Sequence, residues 1–151
     1  GALFAAGLSL VSAPAAQAAA DKISISVTGP SEIGGKPVSQ VIIGNMVAPG
    51  NCTDFWTSLP QQSSWTWTNS GSNAKPFGLL FNFKAAGTEQ TALKCVVVDP
   101  TVMSGDATVA VTLSQCNVQG DPNNPALQVS GASGGAGVSI RPSAGTDKPC
   151  N

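Results

Sequence analysis

From residue 22 onward the chain alternates. Ile23, Ile25 and Val27 are interleaved with Ser24 and Ser26 and flanked by Lys22 and Thr28. A β-strand turns successive side chains to opposite faces, so the pattern predicts a strand with one face in a core and the other in water. Gly29-Pro30 ends it. Val38 to Ile43 is a more continuous apolar run, closed by Gly44-Asn45. Residues 48–62, with Pro49-Gly50 and Pro60, read as a loop. Ser63 to Thr68 alternates again and sets Trp65 and Trp67 on one face. After the turn Asn69 to Asn73, alternation resumes at Phe77, Leu79, Phe81 and Phe83. Leu93 to Val98 follows, with Cys95 to Val98 expected to be buried on both faces. Asp99-Pro100 marks a break. Val109, Val111 and Leu113 alternate, and Leu127 with Val129 and Val138 with Ile140 predict two short late strands around the glycine-rich 131–135.

About eight short strands at this spacing, with no amphipathic helix after residue 20, predict an all-β chain. The expected architecture is a single antiparallel β-sandwich of the immunoglobulin-like or pilin-like kind, over residues 21–151.

Residues 1–20 differ. An apolar run over 2–12 is followed by Pro14 and by Ala16-Gln17-Ala18, an A-x-A cleavage pattern. This predicts a secretory signal peptide cut after Ala18 or Ala20, with the mature chain starting near Asp21. The run is short for a membrane span. The alternative is a retained apolar helix that assembles subunits into a filament. It lacks the Phe and Glu that open bacterial type IV pilins. Membrane contact is expected only through residues 1–20, and only if they are retained.

Composition narrows the function. Charged residues are 10% of the chain and net charge is −1. The seven cations, Lys22, Lys36, Lys75, Lys84, Lys94, Arg141 and Lys148, are scattered. Nucleic-acid binding draws on clustered Lys and Arg, so no nucleic-acid partner is expected. There is no histidine, which removes Ser-His and Cys-His catalysis and any histidine pH switch near neutrality.

The four cysteines are Cys52, Cys95, Cys116 and Cys150. None forms a C-x-x-C pair, so disulfides are favoured over zinc, and with them an oxidising, extracellular or cell-surface location. A hairpin of 93–98 and 108–113, turning at Ser104-Gly105-Asp106, would set 95 opposite 116. The expected bonds are therefore Cys95–Cys116 and Cys52–Cys150, the second tying the C-terminal tail to the long 44–60 loop.

Candidate chemistry is sparse. Gly131-Ala132-Ser133-Gly134-Gly135 matches G-x-S-x-G, but that elbow presents its serine to a histidine this chain lacks. Asp121-Pro122-Asn123-Asn124-Pro125 has part of a calcium loop without its glycine and bidentate glutamate, and reads as an Asx turn. Asn51-Cys52-Thr53 has the glycosylation pattern with a poor central residue. The eight carboxylates (Asp21, Glu32, Asp54, Glu89, Asp99, Asp106, Asp121, Asp147) lie mostly in turns or at strand ends, and no pair looks placed for glycosidase work. No catalytic residue, metal or cofactor is expected, and no enzyme.

Two readings compete. The first is an extracellular or cell-surface structural or adhesive protein, a filament subunit in its sharpest form, whose partner is itself. There Ile23, Ile25 and Val27 mark an assembly strand that pairs with a neighbour's open sheet edge. The second is a secreted module binding a carbohydrate or other small ligand, with Trp65, Trp67, Phe55 and Trp56 as its aromatics. Trp65 and Trp67 would stack on sugar rings if exposed, or belong to the core if they face inward. Phe55-Trp56 would equally cap a disulfide at Cys52.

Overall fold

The computed structural model describes residues 19–46, 52, 55–58, 62–119, 121–142 and 150, with backbone alone for 39–46 and 55–58. The chain is an all-β sandwich of two sheets. The strands are β1 (Lys22–Thr28), β2 (Glu32–Ile33), β3 (Lys36–Met46), β4 (Phe55–Ser58), β5 (Ser64–Thr68), β6 (Phe77–Ala85), β7 (Thr88–Thr91), β8 (Cys95–Val98), β9 (Asp106–Asn117), β10 (Pro125–Ser133) and β11 (Val138–Arg141). The predicted strands are all present. β2, β4 and β7 are additional, and β4 lies inside the stretch read as loop.

The smaller sheet has four strands in the order β10-β9-β1-β5. The larger has seven, running β11-β8-β6-β3-β2, with β4 also on β3 and β7 also on β6. Pairing between strands is antiparallel with one exception: β1 runs parallel to β9 over Lys22–Thr28 and Asp106–Thr112.

That exception explains the topology. After β8 the chain does not turn back in a hairpin. A single 3-10 turn at Pro100–Val102, capped by the Asp99 side chain on the Thr101 N–H, carries it into the other sheet. The start of β1 is held to this crossover by Ala20 N–H to the Pro100 carbonyl at 3.0 Å and Asp21 N–H to the Gly105 carbonyl at 2.8 Å. Gly105 sits at φ 60°, a left-handed conformation that glycine adopts without strain.

The disulfides follow from the crossover and correct the expected pairing. Cys95 bonds Cys52 with Cα atoms 6.3 Å apart, and Cys116 bonds Cys150 at 5.5 Å. Cys95 and Cys116 cannot meet across a hairpin, because β8 and β9 belong to different sheets.

The core fills the space between the sheets. Ile23, Ile25, Val27, Val109, Val111, Leu113, Leu127 and Val129 come from the small sheet. Phe77, Leu79, Phe81, Phe83, Val96 and Val98 come from the large one. Ala20, the residue before the predicted mature start, is fully buried in this core. A second, smaller cluster of Cys52, Leu80, Cys95 and Val97 lies on the far side of the large sheet. β8 therefore buries both faces, as its apolar run predicts.

Candidate functional site

The small sheet offers the most distinctive surface. Over β1 and Asp106–Leu113 of β9, buried positions alternate with exposed or partly exposed ones. On the exposed side the register aligns hydroxyls across strands. Ser24 lies between Thr66 of β5 and Thr108 of β9, and Ser26 between Ser64 and Ala110. Thr28 lies beside Thr112, and Ser130 Oγ donates to the Thr112 carbonyl at 3.2 Å. Charges stand only at one end of these rows, where Lys22 pairs with Asp106 and Thr68.

Both edges of β1 are occupied, by β5 and by β9. Ile23, Ile25 and Val27 are buried in their own sandwich. The strand expected to reach a neighbour's sheet thus has no free edge in this structure. Next to it lies β5, whose far edge no described strand pairs. Val27 N–H donates to the Ser63 carbonyl and Asn69 N–H to the Asp21 carbonyl, so residues of odd number spend their backbone groups on β1. In an antiparallel ladder the intervening residues point theirs the other way. Ser64, Thr66 and Thr68 therefore face outward. The Thr68 carbonyl accepts from Asn73 Nδ2 at 2.9 Å, which engages one of its two lone pairs and leaves the second for a further donor.

Trp65 and Trp67 face inward, toward the core. Trp67 is 7% exposed, and Trp65 is half-buried against the core. Phe77 of β6 lies between their roles: its ring meets Trp65 edge-on at 5.6 Å and stacks with Trp67 at 6.2 Å. The reason is the alternation itself, which gives β5's outer positions to Ser64, Thr66 and Thr68 and its inner ones to the indoles. Phe55 and Trp56 open β4 beside β3 and do not sit in a loop; their side chains lie outside the described residues.

The other candidates resolve into structure. Ser133 ends β10 and is followed by a turn into β11, whereas the G-x-S-x-G elbow needs a helix there. Asp121 Oδ1 accepts the Asn123 N–H at 2.9 Å, the Asx turn expected. Cys52 of the glycosylation pattern is buried in its disulfide, while Asn51 and Thr53 lie outside the described residues, as do Asp54, Asp147 and residues 1–18. Among the described residues no three of Asp, Glu and Cys come together as a metal site. No helix among them is long and apolar enough to cross a membrane.

A shallow groove of about 460 Å³ over β8 and β11 is lined by Pro76, Val97, Asp99, Val102, Gly137 and Arg141 among others. Its polar groups are turned to their own strands. Asp99 accepts from the Thr101 N–H and hydroxyl, and Arg141 Nε donates to Ser139 Oγ at 3.3 Å. Gly137 is packed so tightly on Met103 and the Asp99 carbonyl that a Cβ would stand 2.8 Å from that oxygen. The groove is a seam of the fold. No protein-family model matches the chain, and comparison with curated proteins and with solved structures likewise finds no match.

Proposed function

We propose that this chain is an extracellular structural or adhesive β-domain, which works by presenting a sheet surface to a partner and not by catalysis. One observation carries the reading: beyond Lys22 and Asp106 at one end, the exposed side of the small sheet is an in-register array of hydroxyls without charge that runs to the β5 edge, where no described residue pairs. Natural sheets usually guard such edges, so an unguarded one is a surface with a use. Two disulfides support an oxidising location. The glycan reading is weaker at Trp65 and Trp67, since Trp67 belongs to the core and Trp65 packs half-buried against it; the side chains of Phe55 and Trp56 lie outside the described residues.

The buried Ala20 also bears on processing. Cleavage after Ala20 would remove a residue that fills the core and bonds Pro100. Cleavage after Ala18 keeps it, and is the site proposed here.

The test is intact mass and sedimentation of the protein from its native source, without reductant. The reading expects an assembly of more than one copy, or one bound to a surface polymer, with subunits beginning at Ala19. A lone, freely diffusing monomer with no retained partner would sink it.

A further inference from the structure

Resting on that reading, we propose that β5 is a self-association edge: Ser64–Thr68 pairs antiparallel with the same strand of a second copy, so that two four-stranded sheets become one of eight.

The hydrogen-bonding groups are in place. Ser64 and Thr66 direct N–H and C=O away from β1, and no described residue pairs with them there. The segment Ser-Trp-Thr-Trp-Thr reads nearly the same in both directions about Thr66. A two-fold axis through Thr66 therefore sets Thr66 opposite Thr66, Ser64 opposite Thr68 and Trp65 opposite Trp67. Hydroxyls meet hydroxyls on the outer face and indoles meet indoles on the inner one, pairings that stabilise antiparallel strands. Such an isologous contact closes on itself as a dimer. It also accounts for Trp65, which points to the core yet is left half-buried, where Trp67 of a second copy would cover it.

The remaining edges carry obstacles to pairing. β11 ends in Arg141 followed by Pro142. β2 is two residues long and carries Glu32. β7 carries Glu89. β10 is bulged between Val129 and Gly131, and Leu93 already bonds its edge, donating to the Leu127 carbonyl and accepting the Val129 N–H. The surroundings of β4 fall outside the described residues. β5 has no charge, no proline and no bulge, the devices that keep edges apart.

Thr66→Pro tests this on the intact chain. The substitution deletes the outward N–H at the axis and spares the bonds to β1, which residues on either side supply. The wild type is expected to sediment as a dimer, and T66P at half that mass with an unchanged circular dichroism spectrum. Should T66P not fold, Thr66→Lys and Thr66→Glu replace it: each alone places like charges across the axis and is monomeric, and an equimolar mixture recovers a dimer. A wild-type assembly that survives T66P, or K and E variants that dimerise alone as well as together, overturns the β5 contact and leaves the structural reading standing. A wild type that is monomeric and bound to nothing overturns both.

Discussion

The two sheets treat their outer faces in opposite ways. The small sheet leaves most of its outer face to water, and β1 with Asp106–Leu113 of β9 shows it as exposed or partly exposed positions between buried ones. The large sheet buries part of its outer face too. Leu80, Cys95 and Val97 lie under Cys52, which the disulfide brings over β6 and β8. One sheet therefore has a single packed side and a surface free for other work. The other is a middle layer, with a core below and a small roof above. A partner-binding role falls naturally to the first.

The largest effect expected separates the inner from the outer side of β5. Trp67→Ala removes an indole stacked on Phe77 inside the core and should cost about 3–5 kcal/mol, read by urea unfolding. A loss below about 1 kcal/mol, inside the range of ordinary surface changes, would mean that the indole is not part of the core and would revive the platform.

The roof is tested next. Replacing both Cys52 and Cys95 by Ala should cost about 2–4 kcal/mol from the unfolded chain's regained freedom. The same change at Cys116 and Cys150 provides the control. The loops closed are 43 and 34 residues, so chain entropy alone makes the two pairs differ by only about 0.2 kcal/mol. The Cys52–Cys95 pair is expected to cost clearly more, because its loss also uncovers Leu80 and Val97, and to raise binding of a hydrophobic dye. Equal costs with no added dye binding would mean that the roof stays closed without its bond.

How much of this was legible in the sequence depends on what each strand faces. β1, β5 and most of β9 meet water on one side and core on the other, so alternation announces them; in β6 the large side chains Phe77, Leu79, Phe81 and Phe83 alternate, although Gly78 and Leu80 on the other face are buried as well. β8 meets apolar groups on both sides, and its continuous apolar run says so. β7, Thr-Glu-Gln-Thr, buries nothing and has no periodic signal. Its hairpin turns at Ala86-Gly87 with φ of 50° and 83°, a turn usually written Asn-Gly or Asp-Gly, so the turn signal was missing as well. The disulfide pairing was misread for a topological reason. Asp99-Pro100 and Ser104-Gly105 announce a reversal, but local residues do not say which sheet the next strand joins. The edge position of β5 was invisible for the same reason: its residues declare a strand, while having β1 as its one neighbour among the described strands is a property of the whole sheet.

The smallest expected effect is the sharpest test of the small sheet's two-sidedness, because it compares adjacent residues of one strand. Val109 is fully buried between the sheets, and Thr108 is exposed beside Ser24. Val109→Ala gives up part of the roughly 1.5–3 kcal/mol that a buried valine contributes. Thr108→Ala should stay within about 0.5 kcal/mol, as surface changes usually do. If Thr108 holds only water, its loss leaves both stability and assembly unchanged. If the hydroxyl array itself grips a partner, T108A keeps its melting temperature while binding falls. If T108A leaves binding intact and T66P abolishes it, the contact is confined to the β5 edge and the face beside it is solvent-facing surface alone.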